Sequence, residues 1–320
     1  MKKSILIVIA FLAIVGCKSA PESSDLPILS VSILPQEYFV KKIAGDYFSI
    51  NVMIPPGASP ATYEPTTGKL TSLSGTSLYL QMGYTGFEMA WMDKLSKSNP
   101  SMKLVNVSDG IKLITEASTH GSQSHEVDEL NSGHSQQDSG HHHEDHLQED
   151  PQHAGHQHGG IDPHVWLSPI NAKIIAKNIE KALSESYPAQ ADGFKRNLGI
   201  FLEELDSLHQ HILSEMAGVS SRSFFIYHPA LTYFARDYQL EQFPLELGGK
   251  TPSPSHLKSL VDLGREKKIS VVFLQMQFDQ KNAEVLAREI DAEIVQINPL
   301  DPNWMDQMLF ITRKLKENLQ

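Results

Sequence analysis

Cysteine occurs once in the 320 residues, at Cys17, so no internal disulfide can form and a folded domain must rest on a packed apolar core. Long apolar runs are also missing. The one candidate, Ile5 to Val15 behind Met1-Lys2-Lys3, is too short to span a bilayer. Positive charge is scarce: 27 Lys and Arg stand against 38 Asp and Glu, giving a net charge of −11. That balance argues against nucleic acid or an anionic surface as partner. Between Leu113 and Ala172 there is no lysine or arginine at all. No His-Glu-x-x-His pattern of a metallohydrolase is present either.

What the N-terminus does contain is the charge and length of a signal peptide, expected over residues 1–16. Its apolar run closes on Val15-Gly16-Cys17, and a small residue just before a cysteine resembles the lipobox of exported lipoproteins. Cys17 is then the expected lipidated first residue of a tether over 17–27. The expected location is the cell envelope, anchored by lipid to a membrane face.

From Ile28 the pattern is that of an α/β protein. Short apolar segments bounded by Gly, Pro or Ser, at Ile28–Leu34, Phe48–Ile54, Ser77–Met82 and Lys103–Val107, read as buried strands with helices such as Gln36–Ala44 and Phe87–Ser96 between them. The second half repeats the alternation: strands at Ser223–Tyr227, Leu240–Leu247, Ser270–Leu274 and Glu293–Ile297, helices at Ala230–Tyr238, Ser255–Lys267, Asn282–Ile290 and after Asn303. Strand and helix in alternation imply parallel sheets with flanking helices. Two such lobes are expected, over 28–188 and 218–320. Between them Phe194, Leu198, Phe201, Leu202, Leu205, Leu208, Ile212, Leu213 and Met216 recur at three- and four-residue steps. This predicts one long amphipathic helix over 189–217, roughly 40 Å in length; a plain bundle helix would carry the same stripe, and the position between two α/β halves favours a stiff spine bridging the lobes.

Ten of the 15 histidines crowd into one stretch: His120, His125, His134, His141, His142, His143, His146, His153, His156 and His158, interspersed with Gly, Ser, Gln, Asp and Glu. So little apolar content cannot offset ordering entropy, so a disordered loop over 120–160 is expected within the first lobe. Neutral imidazoles among carboxylates favour borderline metals, and an auxiliary set of weak, plural metal sites is expected here.

Two further histidines are candidates for a fixed site, although a lone histidine before a helix is usually a capping or core residue. His164 lies in Asp162-Pro163-His164-Val165-Trp166, just before a helix expected to start near Pro169, and Asp162 is placed to fix its tautomer. His228 follows the strand Ser223–Tyr227, at a carboxyl end where open α/β sheets gather their ligands. His209 and His211 on the long helix, and His256 at a helix start, read as surface residues.

Taken together, Gly57-Ala58-Ser59-Pro60 with Tyr63-Glu64-Pro65, Asp162-Pro163-His164-Val165-Trp166, His228-Pro229-Ala230 with Tyr233-Phe234, and Gln277-Phe278 resemble the zinc and manganese solute-binding proteins of ABC importers. The resemblance runs from about Ile28 to Leu315. It implies two α/β lobes bridged by a rigid helix, one metal ion in the cleft between them, and docking of a monomer onto a membrane permease. It matches His164 and His228 to two of the family's metal-binding histidines. The first motif departs from the family pattern, with Ala61 where a histidine normally follows the proline; Asn298 and Gln275 stand where the family carries acids. Candidates to complete the site are Gln275, Glu64, Asn298 and Glu246. For Glu64 and Glu246 an ordinary turn or helix-end carboxylate is the competing reading. Zinc is the first choice of metal, with manganese or another divalent transition metal as alternatives. The rivals to metal capture and delivery are a surface metal store or sensor working through the His-rich loop, and a metallohydrolase. The first would bind several ions weakly, the second would turn substrate over.

Overall fold

The computed structural model describes residues 26–115 and 160–320. Cys17 and the ten histidines of the insert lie outside the described residues. The first lobe holds β1 (Ile28–Val31), α1 (Leu34–Ala44), β2 (Ser49–Val52), α2 (Thr67–Thr71), β3 (Thr76–Gln81), α3 (Gly86–Ser98) and β4 (Lys103–Asn106). Its sheet is parallel throughout, in the order β2-β1-β3-β4. Gln36 secures the turn from β1 into α1. Its Oε1 accepts from the N–H groups of Ser32 (2.9 Å) and Ile33 (3.0 Å), while Nε2 donates to the carbonyl of Leu80 (2.9 Å). One buried amide thereby satisfies the helix entrance and ties it to the neighbouring strand.

After the insert the chain makes a 3-10 turn over Val165–Leu167 and enters α4 (Pro169–Ser186), capped by Ser168 Oγ on the N–H of Asn171 at 3.0 Å. The long helix α5 spans Ala191–Ala217, about 40 Å at 1.5 Å per residue. Its buried stripe is Phe194, Phe201, Leu205, Leu208, Ile212 and Met216.

The second lobe holds β5 (Ser223–Ile226), α6 (Thr232–Tyr238), β6 (Glu241–Pro244), α7 (Pro254–Lys267), β7 (Val271–Gln275), α8 (Gln280–Ile290), β8 (Glu293–Ile297) and α9 (Trp304–Asn318). Its sheet, β6-β5-β7-β8, is also parallel and repeats the topology of the first. The strand expected over Leu240–Leu247 is shorter than its apolar pattern suggests. Its last pair is Pro244 with Ile226, closed by the N–H of Leu245 on the carbonyl of Ile226 (2.8 Å), and the N–H of Glu246 then bonds the carbonyl of Tyr227 (3.1 Å) as the chain leaves the sheet. That path carries Glu246 to the end of β5.

The main core does not stop at the lobe boundary. Phe39 of α1 packs edge-on against Trp304 of α9 with ring centroids 5.1 Å apart, and Phe201 of α5 lies 5.8 Å from Phe39. A second, smaller core lies within the second lobe, around Phe225, Leu245, Val272 and Leu286. Hinging the lobes apart would expose shared aromatic surface, which opposes wide opening. Among the described residues no helix is long and apolar enough to cross a membrane.

Candidate metal-binding site

His164 and His228 come from different lobes, yet their imidazole centroids are 5.0 Å apart with the rings inclined at 71°. Two imidazoles sharing one tetrahedral zinc at Zn–N distances near 2.0–2.1 Å would place their centroids at about this separation.

Each ring is held from behind by a buried carboxylate. Asp162 Oδ1 takes both the main-chain N–H of His164 (2.9 Å) and its Nδ1 (2.8 Å). Glu246 Oε1 lies 2.5 Å from Nδ1 of His228. An ionised carboxylate only accepts, so in a neutral ring placed this way the proton belongs on Nδ1 and Nε2 keeps its lone pair for a cation. Burial of Asp162 pushes its pKa up. The His164 ring beside it, hydrogen bonds from that ring and its main-chain N–H, and one from the Thr232 hydroxyl together outweigh burial and hold it below the usual carboxylate range.

The two motifs are wired to each other. The hydroxyl of Tyr233 donates to the carbonyl of Asp162 (2.9 Å) and accepts from the N–H of Ile114 (3.1 Å). Burial raises this phenol to about 12, so it stays a donor at any physiological pH. Trp166 lies 5.4 Å from the His164 ring, and Phe278 stacks on His228 at 5.4 Å and 21° while also stacking on Tyr227 at 5.0 Å. Phe278 therefore walls the site together with Trp166 and Tyr227. Tyr63 instead packs on Phe87, 5.8 Å away.

The four remaining candidates to complete the site occupy different surroundings. Gln275, one of these candidates, has both ends of its amide on the main chain of His228: Oε1 accepts from the N–H at 3.2 Å and Nε2 donates to the carbonyl at 2.6 Å. Glu246 is bonded to the His228 ring. Asn298 Oδ1 accepts from the N–H of Leu300 at 3.1 Å, at the edge of a cleft of about 130 Å³ that also touches Ile33, Pro56 and Gly57. Glu64 and Ala61 are both exposed in the segment after β2. Among the described residues no group of three or more His, Cys, Asp or Glu side chains is gathered about one point.

Two of the histidines read as surface residues are more enclosed than expected. His209 is half-buried with Nδ1 3.0 Å from the Tyr238 hydroxyl, because α6 packs across α5 at that turn. His256 is half-buried with Nε2 enclosed, and its main-chain N–H engages the Ser253 cap at the start of α7. His211 is exposed, as expected.

Two parallel α/β lobes on a long helix, with one histidine from each lobe facing the other, define a two-lobe α/β protein with a paired-histidine cleft. The profile of the family described as "ZnuA: Zinc-uptake complex component A periplasmic" matches residues 30–318, and the chain belongs to that family. A crystal structure of ZnuA superposes with a TM-score of 0.77 at 32% identity, covering 92% of this chain and 100% of that one. The zinc-binding lipoprotein AdcA of Streptococcus pneumoniae is 25% identical over 308 residues, 94% of this chain and 56% of AdcA. A putative metal-binding protein of Treponema pallidum is 25% identical over 321 residues, 97% of this chain and 92% of that protein. The chain spans little more than half the length of the AdcA relatives it matches.

Proposed function

We propose that this chain captures a divalent transition metal, zinc before manganese, between His164 and His228 and delivers it as cargo to the permease of an ABC importer. The observation that carries this reading is the pair of imidazoles 5.0 Å apart across the lobes, each with Nδ1 on a buried carboxylate and Nε2 open. Both carboxylates lie one residue behind the ion and offset its charge without ligating it, which lowers the cost of desolvating a dication. The similarity to zinc-binding AdcA supports zinc as the cargo. In this reading no bond is made or broken, and the protein works as a monomer. Cys17 carries the lipid that keeps it at the membrane, and Cys17→Ser would move it to the soluble exported fraction.

With two imidazoles supplied by the described residues, a third ligand comes from Glu64 or a histidine of the insert, or else solvent fills the position. Calorimetric titration with zinc tests the core of the reading. One tight ion per chain is expected, and it should be lost in His164→Ala and in His228→Ala while helix content and cooperative unfolding of the metal-free protein stay nearly unchanged. Tight binding retained in the double substitution would remove the site.

A further inference from the structure

We infer that Gln275 is a positioning residue for metal capture: its amide replaces a missing strand partner and clamps the peptide groups on both sides of His228, setting the ring for the ion. The inference rests on His228 being a ligand, as proposed above.

The ladder between β5 and β7 ends where the N–H of Tyr227 meets the carbonyl of Phe273 at 2.8 Å. One residue further, at His228, the strands no longer pair through their main chains. The side chain of Gln275, only 2% exposed at the end of β7, takes over. Its Oε1 accepts from the His228 N–H at 3.2 Å and its Nε2 donates to the His228 carbonyl at 2.6 Å. A primary amide offers both a donor and an acceptor in one plane, as a peptide group does. Of the two clamped groups, only the carbonyl has a further main-chain partner, the N–H of Ala230 at 2.7 Å.

The clamp completes a three-way restraint on His228. Gln275 holds the backbone, Glu246 holds Nδ1 at 2.5 Å, and Phe278 lies against the ring face. A ring fixed at backbone, edge and face has little freedom left to lose when a cation binds, so less of the binding energy is spent on ordering it.

This role also accounts for an amide where the family carries an acid. A carboxylate can accept from the His228 N–H but has nothing to donate, and its second oxygen would face the His228 carbonyl at hydrogen-bond distance. Gln275→Glu therefore distinguishes clamp from ligand by the sign of its effect. Were Gln275 to coordinate zinc through Oε1, the carboxylate, a stronger zinc ligand, would tighten binding. As a clamp, it should weaken it.

The test is zinc affinity measured against a competing chelator for the intact chain, Gln275→Glu and Gln275→Met, with the His228 imidazole followed by two-bond ¹H–¹⁵N correlation in the metal-free proteins. Methionine keeps the length and apolar bulk without the anion, so it serves if the buried carboxylate prevents folding. Both substitutions should lower affinity roughly 10–100-fold, the range for losing a partner that orients a ligand. Both should also turn the single Nδ1–H tautomer of His228 into a mixture, with helix content retained. Binding by Gln275→Glu that equals or exceeds that of the parent would overturn the inference. Should the parent hold no tight ion, the function proposed above fails on its own, and unchanged His228 tautomer signals in the metal-free variants would overturn the clamp separately.

Discussion

Trp304 gives its indole N–H to the carbonyl of Trp166 at 2.9 Å, while the indole of Trp166 reaches on to the carbonyl of Pro299 at 2.8 Å. The two rings are fully buried and come from opposite lobes, so this chain of donors ties the second lobe to the turn that carries His164. The tie, the Tyr233 bridge to Asp162 and the shared aromatic core all restrain the same junction. The facing of the two histidines is thus built into the packing of the lobes.

Trp304→Phe should show how much that tie contributes. The smaller ring keeps apolar contact but leaves the Trp166 carbonyl without its indole donor and opens a gap beside Phe39. A loss of about 1–3 kcal/mol is expected from the hydrogen bond alone, more if the gap does not close. Urea unfolding of the metal-free chain measures it. Stability equal to the parent would show that the tie is dispensable.

A second test addresses pH. Glu88 is fully buried in the first turn of α3, where it accepts from the N–H groups of Met82 (2.7 Å) and Gly83 (2.5 Å) and from the Ser32 hydroxyl. Burial pushes its pKa above the usual 4.5, and the hydrogen bonds from Ser32, Met82, Gly83 and Thr85 offset that only in part. Between the unfolded value and the raised folded one, the native chain binds a proton that the unfolded chain releases. Stability from this group therefore falls as pH rises through that window and is level above it. Glu88→Gln cannot titrate. The stability difference between parent and variant, followed by urea unfolding from pH 4 upward, should shift against the parent as pH rises and then flatten. A difference independent of pH would contradict the assignment.

The third prediction concerns Ala61. The segment around it is anchored by the N–H of Phe87 on the carbonyl of Pro60 at 2.8 Å and by the N–H of Ala61 on Ser59 Oγ at 3.3 Å, and Ala61 itself is exposed. The methyl group can be replaced there without disturbing the core. In the resemblance to metal-binding relatives this position normally carries a histidine. Ala61→His should then tighten zinc binding by roughly tenfold or more, about 1.4 kcal/mol for each factor of ten. Competition with a chelator of known affinity reads the change. Unaltered affinity would mean that this loop does not reach the ion.

Much of this architecture is legible in the sequence, because its cause is periodic. The stripe from Phe194 to Met216 marks the spine helix, and the short apolar segments between Gly, Pro and Ser mark the strands of both sheets. His164 and His228 stand out by their motifs, and His228 by its place at a strand end. The support around them is less visible. Glu246 reaches the His228 ring because β6 stays in register with β5 up to the Ile226–Pro244 pair and the next two amides bond the carbonyls of Ile226 and Tyr227. Gln275 serves the His228 backbone because the β5–β7 ladder ends one residue early. Both depend on register between strands far apart in sequence, which no local pattern encodes. Glu88 reads as an ordinary acidic residue in a first helical turn, and only the meeting of β1 and β3 makes it buried.

The last prediction separates the His-rich insert from the cleft. The chain leaves and re-enters the described fold at adjacent points: Thr115 and Ile161 form an antiparallel bridge, and the N–H of Asp162 bonds the carbonyl of Ile114 at 2.9 Å. Residues 120–159 can therefore be replaced by a short Gly/Ser bridge without stretching the fold, and closing a shorter loop carries no large entropic penalty. Folding stability should change little. Parallel zinc titrations of the intact and shortened chains, with a competing chelator to resolve the tight phase, should show the weak multiple phase lost, and loading should slow when zinc is scarce. One tight ion should remain, held by His164 and His228. If the tight phase vanishes with the insert, one of its ten histidines supplies the ligand that Ala61 does not, and the site closes only when that segment reaches the cleft. In that event Ala61→His in the shortened chain should restore tight binding, since it would return the third imidazole from within the first lobe.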